Sequence, residues 1–233
     1  MEQTARPIID VVIPAYNEVL ALPLVLRDIP RNWVRDVIVV DNNSTDGTAQ
    51  AALSGGATPV LEAQKGYGAA CLRGIAKVAE NPIPPDILVF MDADFSDHPE
   101  ELPKLVQPII DGQVKFVIGS RALGQREKGS MMPQQIFGNW LATFLLRRIY
   151  RATFTDLGPF RAIAWNTLED LKMQDRDFGW TVEMQVKILK MSIPYTEIPV
   201  SYRRRKGVSK ITGTVKGSVM AGYKIITTIF KYA

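Results

Sequence analysis

Five short runs rich in β-branched residues recur along the first half of the chain: IIDVVIP (8–14), VRDVIVVD (34–41), ATPVLEA (57–63), DILVFMD (86–92) and VKFVIGS (114–120). Stretches with helical spacing separate them, over 20–29, 45–53, 66–80 and 98–112. The runs are nearly continuous in apolar character, which marks strands covered on both faces. Strand and helix in regular alternation predict an α/β fold: a doubly wound, mostly parallel sheet with helices on both faces.

Sheets of this kind bind ligands beyond the carboxyl ends of their strands. Each of the five runs ends in polar or glycine-rich residues: Pro14-Ala15-Tyr16-Asn17-Glu18, Asp41 to Gly47, Gln64-Lys65-Gly66-Tyr67-Gly68, Asp92-Ala93-Asp94 and Gly119-Ser120-Arg121. The topology therefore delivers five polar ends to one rim. The second half is less regular. Residues 132–154 and 180–191 have helical spacing, 155–165 reads as a loop and strand, 195–205 as extended, and 213–233 as a terminal helix. No linker-like break, repeat or low-complexity segment divides the 233 residues, which are expected to form a single domain.

Alternate residues of a strand share a face, so Asp92 and Asp94 can reach one hard cation, Mg²⁺ or Mn²⁺, which prefers oxygen ligands and keeps positions open for phosphate. Asp97 suits a helix N-cap before HPEEL. The single histidine and single cysteine leave no zinc-type cluster. Asp41 to Thr48 forms a turn into a helix, where polar side chains can cap helix amides or hold a base or ribose. Gly66 and Gly68 permit close backbone approach at a helix N-terminus, favourable for an anion, although they match neither a dinucleotide fingerprint nor a P-loop.

Lys and Arg outnumber Asp and Glu by 28 to 24, a net charge of +4, which is too mild to suggest nucleic acid. Cys71 alone excludes an intramolecular disulfide, and its small-residue surroundings suit a buried thiol. Residues 1–14 do not read as a signal peptide, and no run of about 18 apolar residues could span a bilayer, so the expected compartment is the cytoplasm. At about 100° per residue, Val215, Val219, Ile225, Ile226, Ile229 and Phe230 share a face flanked by Lys216, Lys224 and Lys231. Such a helix can lie on an anionic membrane surface or pack on its own domain. Around 139–151, Leu141, Leu145 and Ile149 point one way, and Trp140, Phe144, Arg147, Arg148 and Arg151 another, which fits an interfacial anchor.

VVIPAYNE, VIVVDNNSTDGT, KGYGAA, VFMDAD, IGSR and RRRKGVSKI, in this order over nearly the whole chain, resemble glycosyltransferases of family 2 with a GT-A fold. Within that family they look most like the dolichol-phosphate mannosyltransferase-like, polyprenyl-phosphate group. The resemblance implies an inverting transfer of a hexose from a nucleotide-sugar to a polyprenyl-phosphate at the cytoplasmic membrane face, with a soluble acceptor as the alternative. A sugar-nucleotide-binding module without turnover is a further alternative, against which intact Asp92 and Asp94 argue. The resemblance also implies roles. Pro14, Tyr16, Glu18, Asp41, Asn43, Lys65, Gly66 and Asp92 would bind the donor, Asp92 and Asp94 a metal, and Arg121, Arg203, Arg205, Ser209 and Lys210 phosphates. Glu183 would lie near the acceptor and, with Asp92, Asp94 and Arg121, serve catalysis. Residues 1–121 would then form the nucleotide-sugar half, 122–210 the acceptor half and 211–233 an amphipathic helix. Two departures stand out: Asp97-His98 where relatives often have Gln or Ser-His, and DLGPFR in place of a T-S-G-[FY]-R loop.

Overall fold

The computed structural model describes residues 6–207 and 215–232, with the side chains of the second segment described from Met220 onward. All five expected strands form: β1 (Ile9–Ala15), β2 (Asp36–Asp41), β3 (Thr58–Leu61), β4 (Ile87–Phe90) and β5 (Phe116–Ser120). Two more, β6 (Arg161–Ala164) and β7 (Tyr195–Pro199), complete a seven-stranded sheet in the order β3-β2-β1-β4-β6-β5-β7. β6 runs antiparallel to both neighbours, and every other pairing is parallel. The expectation of a mostly parallel sheet therefore holds, with one inserted strand that separates β4 from β5.

The helices are α1 (Leu22–Asp28), α2 (Thr48–Ser54), α3 (Tyr67–Ala79), α4 (Leu102–Ile110), α5 (Pro133–Tyr150), α6 (Trp165–Leu171), α7 (Trp180–Lys190) and α8 (Val215–Lys231). One face of the sheet packs Val11, Ile13, Val39 and Val89 against Leu22, Val25, Leu26, Leu105 and Val106 of α1 and α4. The other packs Val12, Val40, Leu88, Phe90 and Ile163 against α3, α5, α6 and α7, around Trp180. Phe90 meets Trp180 edge-on with ring centroids 4.7 Å apart, a favourable aromatic geometry.

α8 keeps part of its apolar face for its own domain. Ile229 is fully buried and Ile225 packs beside it. Tyr150 donates to the Ile229 carbonyl (2.7 Å), and Lys190 to that of Tyr232 (2.7 Å). Phe230 and Tyr223 remain exposed. Of the face expected from periodicity, Ile225 and Ile229 thus turn to the domain and Phe230 to solvent, while the side chains of Val215, Lys216 and Val219 lie outside the described residues.

The chain reverses direction of growth between β1 and β4. After β1 it builds outward through β2 and β3, then returns through α3 to place β4 on the other side of β1. The crevice at the carboxyl ends of β1 and β4 is therefore the topological switch point, where open α/β sheets bind ligands.

Candidate active site

A cavity of about 620 Å³ opens at that crevice. Its lining includes the strand ends: Pro14 and Ala15 closing β1 and Tyr16 after it, Asn42 after β2, Lys65 and Gly66 after β3, Asp92 to Asp94 after β4 and Arg121 after β5. Glu18 joins them. The five polar ends anticipated from the sequence thus converge on one space.

Much of the polar sequence in 41–48 holds the loop after β1 in shape. Asn17, at φ +54°, accepts the Thr45 amide (2.8 Å) and gives its own amide to Ser44 Oγ (3.0 Å). The Glu18 amide donates to Thr48 Oγ1 (2.9 Å). Asp41 accepts the Ser44 amide (2.9 Å) and does not line the cavity. Asn42, not Asn43, faces it. Asn43 adopts φ +64° and turns outward, whereas Asn42 clasps the next loop. Its amide donates to the carbonyls of Glu62 (3.1 Å) and Gln64 (2.7 Å), and its oxygen accepts Gly66 N–H (2.9 Å). Lys65 lies 5.3 Å above the Tyr16 ring, within cation–π reach.

The glycines at 66 and 68 serve a closer neighbour than an anion. A β-carbon on either would sit 2.1 Å from a carbonyl oxygen, that of Arg176 or Asp175 respectively. The chain's own 175–176 backbone fills the approach they allow, and Arg176 O accepts the Ala69 amide (2.9 Å). That loop is fastened by Glu183, which accepts the amides of Gln174 (3.0 Å) and Asp175 (2.7 Å), pairs with Lys187 (2.7 Å) and receives the Tyr232 hydroxyl (2.9 Å). Glu183 is fully buried and does not line the cavity, so its placement differs from the expected acceptor position. In the first turn of α7 its carboxylate folds back on the loop that precedes the helix.

Asp92 and Asp94 both line the cavity. Burial and then the charge of Asp94 push the Asp92 carboxyl up to about 6, against the pull of Arg205 and Arg121. Asp97 is not the expected N-cap. His98 precedes the short 3₁₀ turn Pro99–Glu101, and Asp97 turns inward, where Asp92 N–H lies 3.4 Å from its Oδ2. Its Oδ1 is buried without a hydrogen-bond partner, and burial, followed by Asp92 and Asp94, raises its carboxyl well above the usual range. The raised carboxyls of Asp92 and Asp97, crowded beside Asp94, make a place where added positive charge is stabilised. Asp92 and Asp94, facing an open cavity, match the needs of Mg²⁺ or Mn²⁺, which a protein commonly holds through one or two carboxylates and shares with substrate phosphates. Among the described residues no closed cage of three or more His, Cys, Asp or Glu ligands exists.

Two arginines supply positive charge. Burial opposes ionisation of Arg121, and Asp156 overcomes that cost through paired bonds to Nε (2.8 Å) and Nη2 (2.7 Å), holding the guanidinium well above its ordinary value. Arg205 lines the cavity and forms an ion pair with Asp94. Arg203 does not join them. Its Nε donates to Phe95 O (2.7 Å), its Nη2 to Asp97 O (3.0 Å), and its guanidinium stacks 3.4 Å above the Phe95 ring. It stitches residues 95–97 to the 202–206 segment. Ser209 and Lys210 lie outside the described residues.

Several contributors escaped the sequence reading. Asp156 orients Arg121. Asn139 on α5 accepts Leu157 N–H (2.9 Å) and donates to Thr155 O (3.0 Å), fixing the DLGPFR loop. Arg161, fully buried and without a carboxylate, donates to the carbonyls of Leu157 (3.0 Å), Gly158 (2.5 Å) and Thr181 (2.9 Å) beneath the cavity, and burial lowers it to about 10. The polar letters of DLGPFR were the available signal for Asp156 and Arg161, but their partners lie on other elements.

The outer wall is formed by α5 (Gln134, Gln135, Gly138, Asn139) and α8 (Ala221, Gly222, Ile225). Next to it α5 carries an exposed ladder of Phe137, Trp140 and Phe144, with successive centroids 5.8 and 5.7 Å apart. Trp140 is 56% exposed, and Arg148 covers Phe144 at 5.6 Å. Arg147 and Arg151 are exposed on the same helix end. The outward face expected for this helix is realised. Among the described residues no helix is long and apolar enough to cross a membrane.

Comparison with known proteins agrees with this geometry. The family model for glycosyl transferase family 2 matches residues 10–169. An uncharacterized glycosyltransferase of Mycobacterium tuberculosis is 35% identical over 215 residues, covering 91% of this chain and 94% of that one. The undecaprenyl-phosphate mannosyltransferase of Micrococcus luteus is 30% identical over 224 residues, covering 90% and 89%. Among solved structures, glucosyl-3-phosphoglycerate synthase from M. tuberculosis, in complex with Mn²⁺, UDP and phosphoglyceric acid, superposes with a TM-score of 0.77 at 22% identity, over 97% of this chain and 78% of that one. The sheet is that of the GT-A glycosyltransferases, and the chain belongs to glycosyl transferase family 2.

Proposed function

We propose that the protein transfers a hexose from a nucleotide-sugar to a polyprenyl-phosphate at an anionic membrane surface, on the cytoplasmic face. The observation that carries this reading is the juxtaposition of Asp92, Asp94, Arg121 and Arg205 on one cavity whose outer wall leads to an exposed aromatic and arginine face. The named Micrococcus relative acts on undecaprenyl-phosphate, which supports the same acceptor class.

Asp92 and Asp94 would hold a divalent ion, Mg²⁺ or Mn²⁺, whose chemistry is to neutralise the diphosphate leaving group. Tyr16, Asn42, Lys65 and Glu18 would surround the nucleoside, with Asp41 supporting that loop from behind. Arg121, held rigid by Asp156, adds a fixed positive charge at the same rim, the kind of preorganised electrostatics that lowers a barrier. A phosphate acceptor, with a second pKa near ~6, is mostly ionised at neutral pH. It needs cations to receive it rather than a base to deprotonate it, and Arg205, on the cavity wall, would be one of them. Glu183, committed to two amides, Lys187 and Tyr232, acts by positioning the 174–177 loop.

A second reading keeps the enzyme and changes the acceptor to a soluble phosphomonoester, in line with the phosphoglyceric acid bound by the fold neighbour. Radiolabelled UDP-glucose and GDP-mannose, each offered with undecaprenyl-phosphate or 3-phosphoglycerate and with or without EDTA, separate the two. Label in the organic phase, lost with EDTA, is the expected result. Label only in a water-soluble product would install the second reading, and no transfer to any acceptor would favour a binding module.

A further inference from the structure

Arg205 lines this cavity beside Asp94. Its Nη2 contacts Asp94 Oδ2, while the other Asp94 oxygen accepts the Ser96 amide (2.9 Å) and hydroxyl. The backbone on either side is fixed. Arg203 N–H donates to Ser96 O (3.0 Å) and Lys206 N–H to Asp94 O (2.9 Å). The Nε of Arg205 is buried yet has no partner, so one ion pair, through Nη2, holds its head group. Arg205 borders both the main cavity and a smaller one of about 120 Å³, lined also by Ser130, Gln135 and Tyr202. The smaller cavity gives the guanidinium a second place to go without movement of the 203–206 backbone.

One carboxylate oxygen cannot serve a guanidinium and a divalent ion at full strength together. The two cations would stand a few ångströms apart, in a part-buried setting where like charges repel strongly. We infer that Arg205 and the divalent ion compete for Asp94, so that loading of the metal and nucleotide releases Arg205 toward the acceptor's phosphate. The acceptor-side cation then becomes available only once the donor side is filled. This rests on the metal-dependent transfer reading above. A metal that must displace an ion pair populated nine times in ten binds about tenfold more weakly than it would without the pair.

Two measurements test it on the full chain. Free Mn²⁺ is followed by electron paramagnetic resonance during titration of wild type, Arg205→Gln and Arg205→Lys without nucleotide. The Gln variant is expected to bind Mn²⁺ about tenfold more tightly, and the Lys variant, which keeps the charge, to stay near wild type. Separately, the ¹⁵N Nε–H resonance of Arg205, assigned by its loss in Arg205→Gln, is followed as Mg²⁺ and UDP are added to wild type. It should move as the ion binds. Equal or weaker Mn²⁺ binding by Arg205→Gln, or an unmoved resonance at saturating Mg²⁺, overturns the competition while leaving the transferase reading intact. Failure of wild type and Arg205→Gln alike to bind Mn²⁺ in the presence of UDP would bring down the metal-dependent reading and the competition with it.

Discussion

The aspartates after β4 carry a cost that the isolated protein must bear. In the unfolded chain Asp92 titrates at its ordinary 3.8, and in the folded protein at about 6. The folded state therefore binds the extra proton between those values, and stability falls as pH rises through that window. Asp92 opens partly to the cavity, so water screens it and the penalty above pH 6 is on the order of 1–2 kcal/mol. Asp92→Asn should raise the metal-free melting temperature at pH 7.5, with little effect at pH 4, while abolishing transfer. Mn²⁺ affinity of the wild type should weaken as pH falls below about 6, because the proton and the ion compete for the same oxygens. Calorimetric melting and Mn²⁺ titration at several pH values check both. The crowding itself was legible in the letters DADFSD. The inward turn of Asp97 was not, since an N-cap and a buried carboxyl share the same sequence signal.

At the scale of elements, the loops that shape the cavity are tied by side chains on distant helices and strands. Arg161 on β6 is the clearest case. Arg161→Met would leave the carbonyls of Leu157, Gly158 and Thr181 without their donor, at a cost of about 3 kcal/mol or more. Arg161→Lys should recover only part of it, since a single ammonium cannot reproduce the planar fork. Denaturant melts of both variants test this. The first five strands were readable because each is a continuous apolar run with polar punctuation. β6 was readable only as a strand of unstated place, for RAIA is four residues long and nothing in it says antiparallel or where it inserts. α6 went unread because WNTLEDL is too short to show a period. At Gly66 and Gly68 the need for close approach was visible, but the partner was not, because residues 175–176 lie more than a hundred positions away.

For the whole molecule, charge and apolar exposure are concentrated beside the cavity mouth on α5. Arginines near an anionic leaflet contribute about 1 kcal/mol each. Replacing Arg147, Arg148 and Arg151 together by Gln should therefore weaken binding to phosphatidylglycerol-containing vesicles by about a hundredfold. Trp140→Ala should weaken it further, with the fold intact because the ring is more than half exposed and packs on Phe137 and Phe144 of its own helix. Vesicle co-sedimentation at low and high salt reads the effect, and equal binding by wild type and the triple variant would remove the membrane from the account. The order of motifs along the chain made the fold and the acidic pair legible. The packing of Ile225 and Ile229 under α5 and α7 was not, because amphipathic spacing does not say what covers a face. The account as a whole depends on a divalent ion between Asp92 and Asp94. Crystals soaked with Mn²⁺ and UDP, measured at the manganese absorption edge, test it most directly. An anomalous peak within coordination distance of both carboxylates and of the UDP diphosphate is the predicted result. UDP bound in the cavity with no peak beside those carboxylates would contradict it.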